Sequence, residues 1–490
     1  MTAAGTETDS DTAIRPYAKN PWYWQYRGRP IMLIGGNWQD NPFQWATAES
    51  MDEAIGQLDL LQAVGGNYCR CVINARRQAF PAHSSEGMAI PYLKNGDGRY
   101  DLEKWNEEFF ARLDAWLREA YARGIIVEME LWDGTLAVNW KDPHNPFRPE
   151  HNVNYELDEV ILDERGWGNW HENFSQAVPA LKNDPILMRY QEALIGRILD
   201  VSLQYDNVLY GICNEDTMPA EFAEHWAAFI HQRAQKKGKS VCVTDHKQIY
   251  PMTGIGLDQN ALGSVIENTE LFQHVQESTL SSCYPQEQYD STLALRQLVR
   301  EQGAIRPINY DKSFWFIQSF GDGWREKQPG NDALAAMRLW IGVFAGAASY
   351  TFHRDLPADP GWTMGLGLNP LAQTHLKSMR MLLDTIDIFG MEPASELISG
   401  ERCENQAYVL AEPGKQYAVY FPGADYDRDA GRNRALENRI QLELAPGAYT
   451  LKRLDIAGNR WESETKLEGG KQTVEAPAGQ QALVAQRACP

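Results

Sequence analysis

Residues 101–133, DLEKWNEEFFARLDAWLREAYARGIIVEMELWD, carry the pattern on which the fold reading turns. Trp105, Phe109, Leu113, Trp116 and Ala120 recur at three- and four-residue steps, so one stripe of a helix is apolar. IIVEMELWD (125–133) follows at once, an apolar run of strand length. A helix feeding directly into a buried strand is the repeating unit of a parallel α/β fold.

The same unit recurs on both sides. Upstream, IMLIGGNW (31–38) precedes the helix SMDEAIGQLDLLQAVGG (50–66). There Ser50 and Glu53 fit a capping box, Met51, Ile55, Leu58, Leu61 and Val64 share a face, and Gly65 stops the helix. NYCRCVI (67–73) is the second run. After 133 comes a long insertion to about 184, rich in Trp, His, Asn and Pro. Helix 185–205 then leads into NVLYGICNE (207–215), and helix 220–237 into SVCVTDH (240–246). TLSSCYP (279–285) is reached through an irregular stretch containing Glu267 and Glu270. Helix 290–303 precedes RPINYDKSFW (306–315), helix 332–346 precedes AASYTFHRD (347–355), and helix 371–389 closes the series. Eight strand-like runs predict a closed (β/α)8 TIM barrel. The competing open sheet announces itself by a Gly-rich phosphate turn after the first strand, and Gly35-Gly36-Asn37-Trp38 contains no GxGxxG.

Further on the texture changes. AYVLAEPGKQYAVYFPG, IQLELAPGAYTLKRLDIAGNRW and QQALVAQR alternate in period two between Pro-Gly and Gly-Asn turns, which predicts a small antiparallel β-sandwich. The expected organisation is a flexible segment over 1–20, a catalytic barrel over 21–390 and a β-sandwich domain over 391–490.

Composition narrows the function. A chain of 490 residues carrying a formal charge of −20 suits two soluble domains and argues against a nucleic-acid partner. No apolar run reaches the roughly 20 residues a membrane helix needs. MTAAGTETDSDTAIRP lacks a basic and an apolar region, so it is no secretory signal as written; a signal removed beforehand would leave the same sequence. The 7 cysteines form no CxxC pair, and Cys69, Cys71, Cys213, Cys242 and Cys283 fall on strand-like runs. Reduced thiols and a cytoplasmic location are the expectation. His83, His144, His151 and His171 show no metal-ligand spacing, and no GxSxG, HExxH or phosphate loop occurs, so neither metal nor cofactor is expected.

Barrel chemistry sits at the C-terminal ends of the strands. Those positions hold Asn37 and Trp38; Arg70; Glu130, Trp132 and Asp133; Asn214 and Glu215; Asp245 and His246; Tyr284; Asp311; and His353, Arg354 and Asp355. Carboxylates with aromatics suit glycoside cleavage, in which one carboxyl protonates the leaving oxygen and a second attacks the anomeric carbon or activates water. The insertion after 133 would partly roof the mouth, favouring a pocket and action on chain ends or short oligosaccharides.

YGICNED (210–216) resembles the fourth-strand ending of clan A glycoside hydrolases. YDLEKWNEEFFARLDAWLREAYARGI resembles the second barrel helix of their apiosidase-like and cellulase-like branches, SSCYP their sixth strand, and RPINYDKSFW stands in place of their seventh. The C-terminal segment resembles the small β-domain that follows apiosidase-like barrels. The resemblance implies Glu215 as acid/base, Asn214 on the sugar 2-hydroxyl, Arg70 as the arginine that keeps the nucleophile ionised, and Tyr284 as an aromatic hydroxyl beside it. Trp38, Trp132, His246, His353 and Trp315 are further candidate sugar contacts. The family's seventh strand ends in glutamate, whereas this chain has Tyr310-Asp311-Lys312, so Asp311 stands as nucleophile. Its shorter side chain leaves open an inverting mechanism or a second carboxylate drawn from Glu130, Asp245 or Glu267. The expected partner is a carbohydrate. A decayed carbohydrate-binding scaffold and another sugar-active barrel, a transglycosylase or lyase, are the competing functions; oligomeric state is left open.

Overall fold

The computed structural model describes residues 12–36, 42–44, 48–73, 89–133, 145–162, 174–214, 218–246, 259–277, 285–313, 331–353, 368–399, 407–427, 432–462 and 464–488. The α/β part runs β1 (Leu33–Gly36), α1 (Ala48–Ala63), β2 (Tyr68–Val72), α2 (Glu107–Ala122), β3 (Ile126–Asp133), α3 (Pro185–Ser202), β4 (Val208–Asn214) and α4 (Ala220–Lys236). It continues with β5 (Val243–Thr244), α5 (Gln259–Glu267), β6 (Val275–Gln276), α6 (Pro285–Glu301), β7 (Ile308–Asn309), α7 (Asn331–Phe344), β8 (Ser349–Phe352) and α8 (Pro370–Leu383). Strands β5, β4, β3, β2, β1 and β8 form a 6-stranded sheet in that order, while β6 and β7 pair separately; every pairing is parallel. Backbone bonds cross both gaps: Gln273 N–H donates to Val243 O at 2.9 Å beside β5, and Ala348 N–H to Ile308 O at 2.8 Å beside β7.

The helices form for the reasons the sequence suggests, but some begin elsewhere. In α2, Phe109, Leu113, Trp116 and Ala120 are buried as the stripe predicts. Asn106 caps it, its Oδ1 accepting from Glu108 N–H, so the helix cannot extend upstream. Tyr100–Trp105 instead pairs antiparallel with Tyr92–Lys94, and Trp105 stacks on Tyr92. Helix α1 starts at Ala48, which places Ser50 inside it rather than at a cap. The sixth strand is also shifted: Val275–Gln276 pairs with β7, and Pro285 already opens α6. The expected strand 279–285 therefore fails at its end, its remaining residues lying outside the described ones. A Pro suits a first helical turn because its missing N–H has no partner there anyway.

Residues 12–20, expected in a flexible segment, are pinned. Arg15–Pro16, Trp24–Tyr26 and Arg29–Ile31 form a 3-stranded antiparallel sheet, with Ile14 N–H bonded to Asp206 O. Ile14, Trp24 and Tyr26 pack with Leu33, Tyr68, Ile126, Leu209, Cys242 and Ala348 at the starting ends of the parallel strands. This sheet closes the floor under them.

The C-terminal strands include β9 (Tyr408–Glu412), β10 (Gln416–Phe421), β11 (Arg439–Asp455), β12 (Thr465–Glu475) and β13 (Gln481–Arg487), joined in one antiparallel sheet. Strand β11 shifts register against β12 between Leu444 and Ala448, spanning Pro446-Gly447. Alternation gives this sheet two buried faces. Val409, Ala411, Tyr417, Val419 and Phe421 pack on Ile440, Leu442, Leu444 and Val474. Tyr408, Leu410, Ala418, Tyr420, Leu454 and Val484 join the core of the α/β part. There Tyr420 stacks on Trp340 of α7 at 5.2 Å, and Tyr289 of α6 meets Tyr408 at 4.7 Å. Among the described residues no helix is long and apolar enough to cross a membrane.

Candidate active site

Every second residue of the parallel strands points to the same side of the sheet. Where the strands curl round, those side chains meet in layers. Two layers of buried polar groups result, two residues apart on each strand.

The lower layer centres on Glu128 of β3. Its carboxylate accepts from the Tyr68 hydroxyl, from Asn309 Nδ2 at 3.0 Å and pairs with His274 Nε2 at 2.9 Å. Trp24 of the floor sheet donates to Asn309 Oδ1 at 2.9 Å.

The upper layer lies two residues on, toward the C-terminal ends. Arg70 of β2 ion-pairs with Glu130 of β3 and, through Nε at 2.7 Å, with Asp311 after β7. It also donates to Asn214 Oδ1 of β4 at 2.6 Å. His246, after β5, places Nδ1 at 2.8 Å from Glu130 and 3.7 Å from Asp311. Gln276 of β6 donates to Glu130 at 3.1 Å, and Lys312 donates to Asn214 Oδ1 at 2.9 Å. Arg70, Glu130, His246, Asp311 and Lys312 are all at most 3% exposed. Gly211 on β4 leaves room for this layer, since a Cβ there would meet the Glu130 side chain at 2.8 Å.

The two carboxylates are held differently. Burial alone would raise both, because it disfavours the charged form. At Glu130, Arg70, His246 and Lys312 overcome burial and hold the carboxyl below its ordinary value, at about 2. At Asp311 burial wins, with Glu130 adding to it against His246, Arg70 and Lys312, and the carboxyl rises to about 6. Opposite shifts on neighbouring acids are the pattern of a site that divides roles between them. Glu130, His246 and Asp311 also bring ligand atoms within 4.8 Å of one another. The Arg70 guanidinium already supplies positive charge between both carboxylates, so a metal ion would have to displace it.

Of the sequence-derived candidates, Arg70, Asn214, His246 and Asp311 converge here. Glu130, an alternative second carboxylate, joins them. Asp245 is buried beside His246, and His353 is buried at the end of β8. Glu267 ends α5 exposed, on the side where helices return to strand starts, so it is removed from this layer. Trp132 departs from expectation: it is buried with its ring packed among Phe147, Phe174 and Trp226, leaving no open face for a sugar. Phe147 and Phe174 belong to the insertion, which shares the core with β3. Glu215, Trp38, Tyr284 and Trp315 lie outside the described residues. Alternation leaves Lys312 unmarked, since it shares parity with Tyr310, whose hydroxyl meets Thr292 of α6; the two-residue spacing of Gln276 from His274 is a signal, hidden by the misplaced sixth strand. Cys69, Cys71, Cys213 and Cys242 are buried, and burial pushes the Cys69 and Cys242 thiols up to about 12, leaving those two inert.

No family model and no curated protein matches this chain. Solved structures do. A glycoside hydrolase family 5 protein from Bacteroides vulgatus ATCC 8482 superposes with TM-score 0.65 at 13% identity, covering 97% of this chain and 93% of its own. A second glycoside hydrolase gives TM-score 0.64 at 13% identity over 98% and 97%. A glycoside hydrolase family 5 mannosidase from Rhizomucor miehei gives TM-score 0.51 at 12% identity over 78% and 99%. The chain thus has the fold of clan A glycoside hydrolases. At these identities the likeness concerns the fold.

Proposed function

We propose that this protein is a glycoside hydrolase that cleaves an oligo- or polysaccharide by a two-carboxylate, retaining mechanism. The observation that carries the reading is the Arg70–Asp311 ion pair, with Arg70 also bonded to Asn214, the residue before Glu215. Residues from β2, β4 and β7 thereby meet at the strand ends where the resemblance expects them. In this reading the two parallel sheets are one (β/α)8 barrel. Support comes from the backbone bonds across both gaps, and from contacts such as Arg70–Asp311 and Glu128–His274 that join strands distant in the sheet order. The region after residue 390 is read as a β-sandwich bracing α6, α7 and α8.

Glu215 acts as the acid that protonates the leaving oxygen, and Asp311 attacks the anomeric carbon. Glu215 then takes a proton from the water that releases the sugar. Arg70 and Lys312 favour the ionised form of Asp311, and Asn214 holds the sugar hydroxyl next to the reacting carbon. Because Asp311 titrates at about 6, kcat/KM is expected to fall as pH drops through that value and the nucleophile protonates.

The experiment is hydrolysis of a panel of aryl glycosides and oligosaccharides, mannosides included, followed as new reducing ends. Glu215→Gln and Asp311→Asn are each expected to lose about 10³-fold or more in kcat. Full turnover by either variant removes that residue from the mechanism. Sugar binding without turnover by the wild type points to a carbohydrate-binding scaffold, and an unsaturated product to a lyase.

A further inference from the structure

Lys312 has no part in the resemblance that assigns Asp311, Asn214 and Glu215. Its ammonium is nonetheless buried, with the residue 3% exposed, and burying a lysine charge is costly unless neighbours repay the lost hydration. Two arrangements of charge explain its presence. In the first, Lys312 simply balances Glu130 and Asp311, both of which feel its field. Yet Arg70 already contacts both carboxylates directly, and His246 stands beside them. Lys312 also donates outside the carboxylate pair, to Asn214 Oδ1 at 2.9 Å, where Arg70 Nη2 donates at 2.6 Å.

An amide oxygen that accepts from two cations cannot exchange places with its NH2 group, since the flip would set N–H against ammonium and guanidinium. We infer that Lys312 is a positioning residue: with Arg70 it locks the flip of Asn214, turning the amide NH2 toward the sugar hydroxyl that neighbours the reacting carbon. This rests on the hydrolase reading above. It adds that Lys312, through Asn214, enforces the contact to that hydroxyl. One cation would leave the amide held from one side only; the second, arriving from β7, ties β4 to the strand that carries Asp311.

The test uses the full chain with Lys312→Met, which removes the donor, and Lys312→Gln, which keeps a neutral one. Each is assayed on an aryl glycoside the wild type hydrolyses and on its 2-deoxy counterpart. Lys312→Met is expected to lower kcat/KM about 30-fold on the hydroxylated substrate and less than about threefold on the 2-deoxy one, with Lys312→Gln recovering most of the loss. Equal losses on both substrates, or no rescue by Gln, would overturn positioning in favour of charge balance. Where the wild type hydrolyses no glycoside, the hydrolase reading fails by itself. The lock on Asn214 is then read from its side-chain ¹⁵NH2 signals, assigned by their disappearance in Asn214→Ser. Signals that shift in Lys312→Met and return toward the wild type in Lys312→Gln uphold the lock. Unchanged signals in Lys312→Met end it.

Discussion

The two polar layers inside the parallel strands are built from the same strands, two residues apart, and are satisfied in different ways. The lower layer is one carboxylate, Glu128, ringed by Tyr68, His274 and Asn309 and capped by Trp24 from the floor sheet. The upper layer crowds Glu130 and Asp311 against Arg70, Lys312 and His246. Hydrogen bonding of one carboxylate to a hydroxyl, an amide and a ring nitrogen makes a fastening. Opposed charges in a buried space are far more responsive, because small changes in position move large electrostatic energies.

The contrast is broken most severely at Arg70. Arg70→Met leaves two buried carboxylates short of their shared cation, and a loss of about 3–5 kcal/mol in denaturant unfolding is expected. A loss below about 1 kcal/mol would mean that Lys312 and His246 suffice, and the upper layer would resemble the lower.

The two upper carboxylates should then respond with opposite sign. Glu130 is held at about 2, so its contribution to stability is present above roughly pH 4.5 and fades as pH falls toward 2. Glu130→Gln is accordingly expected to lose about 2–3 kcal/mol at pH 7, the gap to wild type narrowing in acid. Asp311 is raised to about 6, so ionising it opposes folding above that pH, and the penalty is absent below about pH 4. Asp311→Asn should gain about 1–3 kcal/mol at pH 7, and lose that advantage in acid, while activity disappears. Thermal unfolding across pH reads both. Matching signs would show that the pair shares its charge rather than dividing it.

The smallest effect belongs to the fastening. Tyr68→Phe removes one donor from Glu128, and about 1 kcal/mol of stability is expected to go with it. The acid limb of kcat/KM should stay where it is, because the Glu128 layer lies outside the chemistry. A shift of that limb by half a pH unit or more would couple the layers and undo the distinction drawn between them.

Local pattern made much of this legible. The stripe of α2 and the runs of β2, β3, β4 and β8 were readable, because burial on one or both faces leaves a periodic mark in the chain. Boundaries were less so. Tyr100–Trp105 carries a helical signal because Trp105 happens to continue the stripe, whereas a cap at Asn106 and pairing with Tyr92–Lys94 decide its state. The sixth strand is hard to place from sequence because Val275–Gln276 is short and flanked by His274 and Glu277, polar residues that are nonetheless buried.

By itself the sequence determined that strands and helices alternate, that an antiparallel sheet follows, and that Arg70, Asn214, His246 and Asp311 stand at strand ends. Tertiary structure alone decided which of those ends face one another. Period two says which residues of a strand share a side, but not what stands opposite, since that depends on how distant strands curl together. So Trp132, of the same parity as Glu130, went to an aromatic cluster with Trp226, while Glu130 went to Arg70. Lys312, unremarkable in the chain, came to rest on Asn214 from across the strands.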